Sequence, residues 1–275
     1  MQSAINTEYN SISPDMRKHI EQTLADVARE HDVTILYAAE SGSRAWGFAS
    51  PDSDYDVRFI YAHARDWYTG LSEARDVIER PLDARLVDLA GWDIRKSLRL
   101  LLKSNPAFYE WLVSPIVYLE HGEFRAQTKA LFERHASPRV LARAYHALAR
   151  GQRPESRADG DEVKLKRYFY LVRPLLSLQW VAEHGTMPPM NLQQLMASVP
   201  LAADVTDAIA ALLERKRTTP ELGFGPRVPV IDNWAGEQLH RLSPERLNLH
   251  HHDAPETAVE TAAEAVALYR RTVGL

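Results

Sequence analysis

The chain has 275 residues, 45% of them hydrophobic, and a formal net charge of −4 at pH 7. This length allows one large domain or two ordinary ones, and the apolar content is sufficient for a sizeable core. Because there is no cysteine, disulfides, thiolate zinc sites and cysteine nucleophiles are excluded. The chain has no apolar run of membrane-spanning length and no signal-peptide pattern at its N-terminus, so we expect a cytoplasmic protein without a membrane segment.

The first elements along the chain are predicted to be a helix and two strands. Ser13 and Pro14 form the pattern of a helix N-cap followed by proline, and apolar residues recur at helical spacing through Glu30. Residues 33–38 are apolar and rich in strand formers, and residues 55–61 alternate between apolar and polar side chains. Two shorter strands are predicted after them, at residues 76–79 and 85–89.

A glycine turn and a pair of aspartates lie in residues 40–61, which read E-S-G-S-R-A-W-G-F-A-S-P-D-S-D-Y-D-V-R-F-I-Y. Asp54 and Asp56 are two residues apart, so on a strand their carboxylates project from the same face. Such a pair either raises one pKa or binds a cation, and oxygen ligands suit Mg²⁺. Gly42 and Ser43 would let backbone N–H groups and a hydroxyl approach an anion. The structural alternative is a plain turn, because S-P-D-S-D is strong turn chemistry.

From about residue 91 the chain is predicted to be almost wholly helical. Residues 150–161 are polar and contain glycine and proline, which predicts a loop. A long helix follows, with a kink or break at Pro174 and its end at Gly185. Two of the predicted helices begin near residues 91 and 137. The others span residues 108–113, 124–135, 162–184, 192–199, 203–217, 231–242 and 255–273.

The glycine-serine turn, its spacer and the D-x-D strand resemble the signature of the DNA polymerase β-like nucleotidyltransferase superfamily. The longer string G-S-R-A-W-G-F-A-S-P-D-S-D-Y-D-V-R, with G-W-D-I-R-K at 91–96 and K-S-N-P at 103–106, is similar to the bacterial and phage nucleotidyltransferases associated with RNA repair. The similarity covers about residues 33–120 and, more weakly, the helix near 168–174. It implies an α+β fold. The expected domains are a small mixed β-sheet nucleotidyltransferase domain of the polymerase β-like palm type at residues 1–120 and an all-helical domain at residues 121–275.

The resemblance also implies a reaction and a metal site. A hydroxyl would attack the α-phosphate of a nucleoside triphosphate (NTP), pyrophosphate would leave, and two Mg²⁺ or Mn²⁺ ions would clamp the attacking and leaving oxygens. Asp54 and Asp56 are the expected ligands of both ions. A third carboxylate is expected on a neighbouring strand, and we assign it to Asp88. The alternative is Asp93, but that residue is predicted in the first turn of a helix, where the helix dipole alone favours an acid.

The expected nucleotide-binding residues lie in the glycine-serine turn, on the helix that begins near residue 91 and on the long helix. They are Gly42, Ser43, Arg44, Lys96, Tyr170 and Arg173. The structural alternative for Arg44 is a surface ion pair. For Lys96, Tyr170 and Arg173 it is a solvated helix face. Trp46 would either stack on a base or pack its loop against the helical domain.

The expected partners are an NTP and, as acceptor, the 3′ end of an RNA. Residues 139–173 contain nine Lys or Arg and four Asp or Glu, a local charge of +5 that would suit backbone phosphates or else form a solvated helical face. Two alternatives remain open: transfer of the nucleotide to a protein or small molecule, and a nucleotide-sensing module without catalysis. The sequence does not predict the oligomeric state.

Three consecutive histidines at residues 250–252, followed by Asp253, suggest a transition-metal site at first sight. Adjacent side chains on an extended segment point in alternating directions and cannot all reach one ion. We therefore do not expect a metal there.

Overall fold

The computed structural model describes residues 10–70, 75–155, 162–218, 222–247, 249 and 255–275, without the side chains of residues 255–258. The helices are α1 (Pro14–Glu30), α2 (Gly42–Ala45), α3 (Ile94–Leu102), α4 (Pro106–Leu112), α5 (Phe124–His135), α6 (Pro138–Gly151), α7 (Lys166–His184), α8 (Leu192–Ser198), α9 (Ala203–Thr218), α10 (Pro229–Arg241) and α11 (Pro255–Val273). The strands are β1 (Val33–Glu40), β2 (Tyr55–His63), β3 (Val77–Arg80), β4 (Val87–Asp93), β5 (Val117–Glu120), β6 (Glu162–Lys164) and β7 (Phe224–Pro226). A 3₁₀ helix spans Arg65–Thr69. The predicted histidines 250–252 and Asp253 lie outside the described residues, as do residues 156–161 of the predicted loop.

Five strands form one mixed sheet in the order β3-β4-β2-β1-β5. Strand β1 runs antiparallel to β2 and β5, β3 runs antiparallel to β4, and β2 and β4 are parallel. The predicted α+β fold with a small mixed sheet is therefore confirmed. Strand β5 was missed because it has only four residues, too few for an alternating pattern to be distinctive.

The first helix packs on one face of this sheet. The Ser13 hydroxyl accepts a hydrogen bond from the Met16 N–H at 3.2 Å, which is the predicted N-cap. The apolar residues of α1 and the odd-numbered residues of β2 are buried in one core: Met16, Ile20, Leu24, Val27, Val57, Phe59 and Tyr61. The even-numbered residues of β2 consequently face the other side of the sheet, beginning with Asp56 and Arg58.

Strand β4 extends further than the sequence predicted. Gly91, expected at the start of a helix, lies within the strand opposite Phe59. A Cβ at Gly91 would come within 2.3 Å of the Phe59 ring, so glycine is required for this close packing. The helix begins only after Asp93, which is its N-cap.

By their internal contacts, the residues form two compact units. The first comprises Met1–Ala45, Ser53–Ala136 and His252–Leu275, and the second comprises Trp46–Asp52 and Ser137–His251. This division differs from the predicted domains 1–120 and 121–275. Helix α5 groups with the first unit, and α11 returns to that unit and packs on α3 and α5. The assignment of folding domains from sequence stays a prediction.

The second unit is built around α7, most of whose side chains are buried. It is not all-helical, because β6 and β7 pair as a two-stranded antiparallel sheet and the long helix therefore starts at Lys166. The helix is not broken at Pro174, and it ends as predicted at Gly185, whose φ is +67°. None of the helices in the described residues is long and apolar enough to cross a membrane.

Candidate active site

The pairing of β2 with β4 brings two of the predicted carboxylates together. Asp56 and Asp88 are partners in the parallel register. Arg58 lies between them: its Nη2 donates to Oδ1 of Asp56 at 2.8 Å and to Oδ2 of Asp88 at 2.7 Å. Its Nη1 donates to the main-chain oxygens of Asp88 at 3.0 Å and Val57 at 3.2 Å. One guanidinium therefore joins both carboxylates and both strands.

Asp54 lies one residue before β2, not on the strand as the sequence predicted, and its side chain is exposed. It is close enough to act on Asp56, whose pKa is raised to about 6. Burial is the main cause of that shift, the negative charges of Asp54 and Asp88 add to it, and the charge of Arg58 opposes it. The site thus concentrates negative charge around a partly buried carboxylate.

Gly42 lies directly against this carboxylate. Its φ of +60° is in the left-handed region, and a Cβ at this position would be 1.8 Å from Oδ2 of Asp56. Any other residue here would be strained and would crowd the Asp56 carboxylate, and the anion-binding role of Gly42 stays a prediction. The next residue, Ser43, is buried and its hydroxyl donates to the hydroxyl of Ser53 at 3.1 Å.

Arg44 is buried, and its guanidinium binds the main chain that leads into β2. It donates to the carbonyl oxygens of Ser53 at 2.6 Å and Asp54 at 3.1 Å and lies over the ring of Tyr55, 3.9 Å from the ring centroid. These contacts fix the backbone that carries Asp54. The nucleotide-binding role of Arg44 stays a prediction.

Glu40, a site residue that was not predicted from the sequence, binds the main-chain N–H of Asp56. It is fully buried, its Oε1 accepts the Asp56 N–H at 2.9 Å, and its Oε2 accepts a hydrogen bond from the Tyr118 hydroxyl. The Ser41 N–H donates to the Asp56 carbonyl at 2.8 Å, so both main-chain groups of Asp56 are paired. Burial raises the pKa of Glu40 to about 8. The available signal was an acidic residue ending an otherwise apolar strand directly before the glycine turn.

Asp93, the alternative third carboxylate, lies at the other end of β4. It is opposite Tyr61 in the sheet, is fully buried, and accepts hydrogen bonds from the Tyr68 hydroxyl and the Arg95 N–H, both at 2.7 Å. The structure therefore places Asp88 beside Asp56 and gives Asp93 the role of a helix cap. Lys96 is near the same end, where it pairs with Asp76 at 3.2 Å.

Tyr170 and Arg173 belong to the second unit and contact residues of that unit. Arg173 is buried, donates to the Met190 carbonyl at 3.1 Å and lies 4.6 Å from the ring centroid of Trp46. Tyr170 makes an edge contact with Trp46 and remains partly exposed. Trp46 therefore packs its loop on α7, the second of the two interpretations given for it.

The carboxylates provide the oxygen donors and the negative charge that a divalent cation requires. Arg58 uses one oxygen of Asp56 and one of Asp88, and the second oxygen of each lies outside that contact. With Arg58 between them, Asp54, Asp56 and Asp88 do not close into a ready ligand set. Across the part of the chain that the structure describes, no group of three or more acidic or histidine side chains is arranged to hold a metal ion.

Comparisons with known proteins agree with the sequence resemblance. The chain matches the RlaP family, described as RNA repair pathway DNA polymerase beta family, over residues 16–263. It is 42% identical over 227 residues to the protein YcgL of Bacillus subtilis (strain 168), which covers 82% of this chain and 86% of that protein. A nucleotidyltransferase-like protein from Exiguobacterium sibiricum 255-15 aligns with 92% of this chain and 79% of its own, at 14% identity and a TM-score of 0.30. That structural likeness is too distant to support an argument about the site.

Proposed function

Because the chain belongs to the RNA repair pathway DNA polymerase beta family, we propose that it transfers a nucleoside monophosphate from an NTP to an acceptor hydroxyl and releases pyrophosphate. The observation that carries this proposal is the β2–β4 register, which places Asp56 beside Asp88. Gly42 lies against the same carboxylate. Family membership supports a transferase. We assign the transfer reaction to the cluster of Asp54, Asp56 and Asp88 in the first unit.

Asp54, Asp56 and Asp88 are the residues that would hold Mg²⁺ or Mn²⁺. The cation would supply charge neutralisation for the phosphates and lower the pKa of the attacking hydroxyl. The reaction also needs a group that accepts the proton of the attacking hydroxyl, and the partly exposed carboxylate of Asp88 suits that role. Arg44 and Glu40 bind the backbone on either side of Tyr55 and so limit the movement of Asp54 and Asp56.

Gly42 and Ser43 are proposed to receive the β- and γ-phosphates. Two features support this assignment. Gly42 has no side chain that would keep a phosphate from the backbone, and the Ser43 hydroxyl lies on the next residue. Lys96, Tyr170 and Arg173 remain predicted nucleotide contacts. Their pairing with Asp76, Trp46 and Met190 offers each of them a structural role instead.

The proposed acceptor is an RNA 3′ end. The family description names an RNA repair pathway, and the basic segment 139–173 would provide contacts for backbone phosphates. Such contacts weaken as salt rises, so RNA binding should fall steeply with ionic strength.

A labelling experiment tests this function. The protein is incubated with Mg²⁺ and each NTP labelled at the α-phosphate, with and without mixed cellular RNA. Asp56→Asn and Asp88→Asn are run alongside Asp26→Asn, a substitution at an exposed carboxylate of α1. We expect label in RNA with the wild-type protein and with Asp26→Asn only. Label on protein or a small molecule would retain the transferase and change the acceptor, and no transfer to any acceptor would overturn the proposed function.

A further inference from the structure

We propose that Arg58 keeps the carboxylate site closed to divalent cations until a nucleotide arrives, and that it then exchanges its carboxylate contacts for contacts with phosphate. The proposal rests on the proposed function, because it concerns the regulation of the same site. It assigns to Arg58 a role in controlling cation entry that goes beyond holding two strands together.

One atom of Arg58 lies between the two carboxylates. Nη2 of Arg58 is 2.8 Å from Oδ1 of Asp56 and 2.7 Å from Oδ2 of Asp88. An atom that contacts one oxygen from each of two carboxylates stands where a cation shared by them would be bound. A metal ion held by Asp56 and Asp88 together would have to displace Nη2.

The charge of Arg58 also opposes the entry of a cation. A guanidinium carries a positive charge in proteins, so Arg58 places that charge against both carboxylates. A divalent ion that approaches without a nucleotide meets this charge at short range. Burial strengthens the repulsion, because the side chain of Arg58 is only 18% exposed and water screens it poorly.

A triphosphate would give Arg58 another anionic partner. Its oxygens are negatively charged and match the planar donor fork of arginine. A nucleotide would therefore offer Arg58 a replacement for the carboxylates and bring its own cation at the same time. The Nη1 contacts with the carbonyls of Val57 and Asp88 do not involve the carboxylates, so they keep the guanidinium at the site during the exchange.

The expected consequence is that cation binding depends on nucleotide. Without nucleotide, the wild-type protein should bind Mn²⁺ weakly. Replacing Arg58 by a neutral residue of similar length should remove the competitor and tighten Mn²⁺ binding. A lysine at this position keeps the charge, and binding should remain weak.

The test is a Mn²⁺ titration without nucleotide, followed by the electron paramagnetic resonance signal of free Mn²⁺. It compares the wild-type protein with Arg58→Met, Arg58→Gln and Arg58→Lys, and with Arg29→Met, which removes an exposed arginine of α1. We expect Arg58→Met and Arg58→Gln to bind Mn²⁺ about tenfold more tightly or better, as short-range charge repulsion implies. Arg58→Lys and Arg29→Met should resemble the wild-type protein. Adding Asp88→Asn to Arg58→Met should abolish the gain.

Equal or weaker Mn²⁺ binding by folded Arg58→Met and Arg58→Gln would overturn the proposal and leave the proposed function intact, provided that the wild-type protein binds Mn²⁺ with a non-hydrolysable NTP. If neither variant folds, the wild-type protein decides the matter: Mn²⁺ affinity at this site that does not increase with the NTP analogue would overturn the proposal. Absence of Mn²⁺ binding by every variant, with or without the analogue, would overturn the metal-dependent function itself.

Discussion

The two ends of β4 each carry an aspartate, and the protein treats them differently. Asp93 is fully buried, caps α3 and accepts two hydrogen bonds from neutral donors. Asp88 is partly exposed and shares one guanidinium with Asp56, while Asp54 adds a third negative charge nearby. The comparison shows that a carboxylate stabilises the fold when neighbouring groups donate enough hydrogen bonds to it. A carboxylate can bind a cation or accept a proton when the acidic side chains around it outnumber the basic ones.

The largest expected effect is the difference in activity between the variants Asp88→Asn and Asp93→Asn. Asp88→Asn should reduce nucleotidyl transfer by about 100-fold or more with little change in the melting temperature. Asp93→Asn should leave the catalytic carboxylates in place but weaken the hydrogen bond from Tyr68 and destabilise the fold by about 1 kcal/mol. Initial rates and thermal unfolding of both variants check this, and an inactive but stable Asp93→Asn variant would reverse the assignment.

Alanine substitutions at two glycines with the same backbone conformation distinguish the cost of backbone strain from the cost of a steric clash. Gly42 and Gly122 have φ of +60° and +59°, but a Cβ would meet Asp56 at Gly42 and nothing within 4 Å at Gly122. Alanine should cost about 1 kcal/mol of backbone strain at either position. Gly42→Ala should cost about 1–3 kcal/mol more through overpacking and should also abolish transfer. Chemical denaturation and activity assays measure both, and equal losses in the two variants would show that Asp56 moves aside freely.

The buried carboxyl group of Glu40 should make stability depend on pH. Its pKa is about 8 in the folded protein, against an ordinary value of 4.5. Between these values the folded state keeps a proton that the unfolded state has released, so the free energy of unfolding should fall as pH rises from about 5 to about 8. Glu40→Gln cannot titrate and should flatten this slope. Urea denaturation at several pH values tests it, and parallel curves for both proteins would contradict the shifted pKa.

The smallest expected effect is the pH dependence of Mn²⁺ affinity. The pKa of Asp56 is about 6, and its carboxylate must be ionised to bind a metal. In the presence of a nucleotide analogue, Mn²⁺ affinity should therefore be nearly constant above pH 7 and fall by about tenfold for each unit below 6. Asp56→Asn should bind weakly at all these pH values. A titration series from pH 5 to 8 measures this, and an unchanged affinity at pH 5 would exclude Asp56 as a ligand.

Much of the fold and part of the site could be predicted from the sequence. The alternation in β2 and the cap of α1 are local signals, and both were confirmed in the structure. The glycine turn is also a local signal, and Gly42 has a left-handed backbone with no room for a side chain beside Asp56. The contacts of Arg58 and Glu40 depend on which strands become neighbours, which a single sequence does not state. The contacts of Arg44 with the Ser53 and Asp54 carbonyls could not be predicted, because these partners come close only after the turn has formed.

The short segment Trp46–Asp52 has a consequence for dissecting the protein. It groups with the second unit, where Phe48 stacks on Phe169 at 5.1 Å, the Leu192 N–H donates to the Trp46 carbonyl and Gln193 donates to that of Gly47. A recombinant fragment that stops near residue 136 would keep Phe48 without its partner ring and would also lack α11. No single cleavage point therefore yields either half intact. Gene fusions or truncations of this protein should therefore carry both units together.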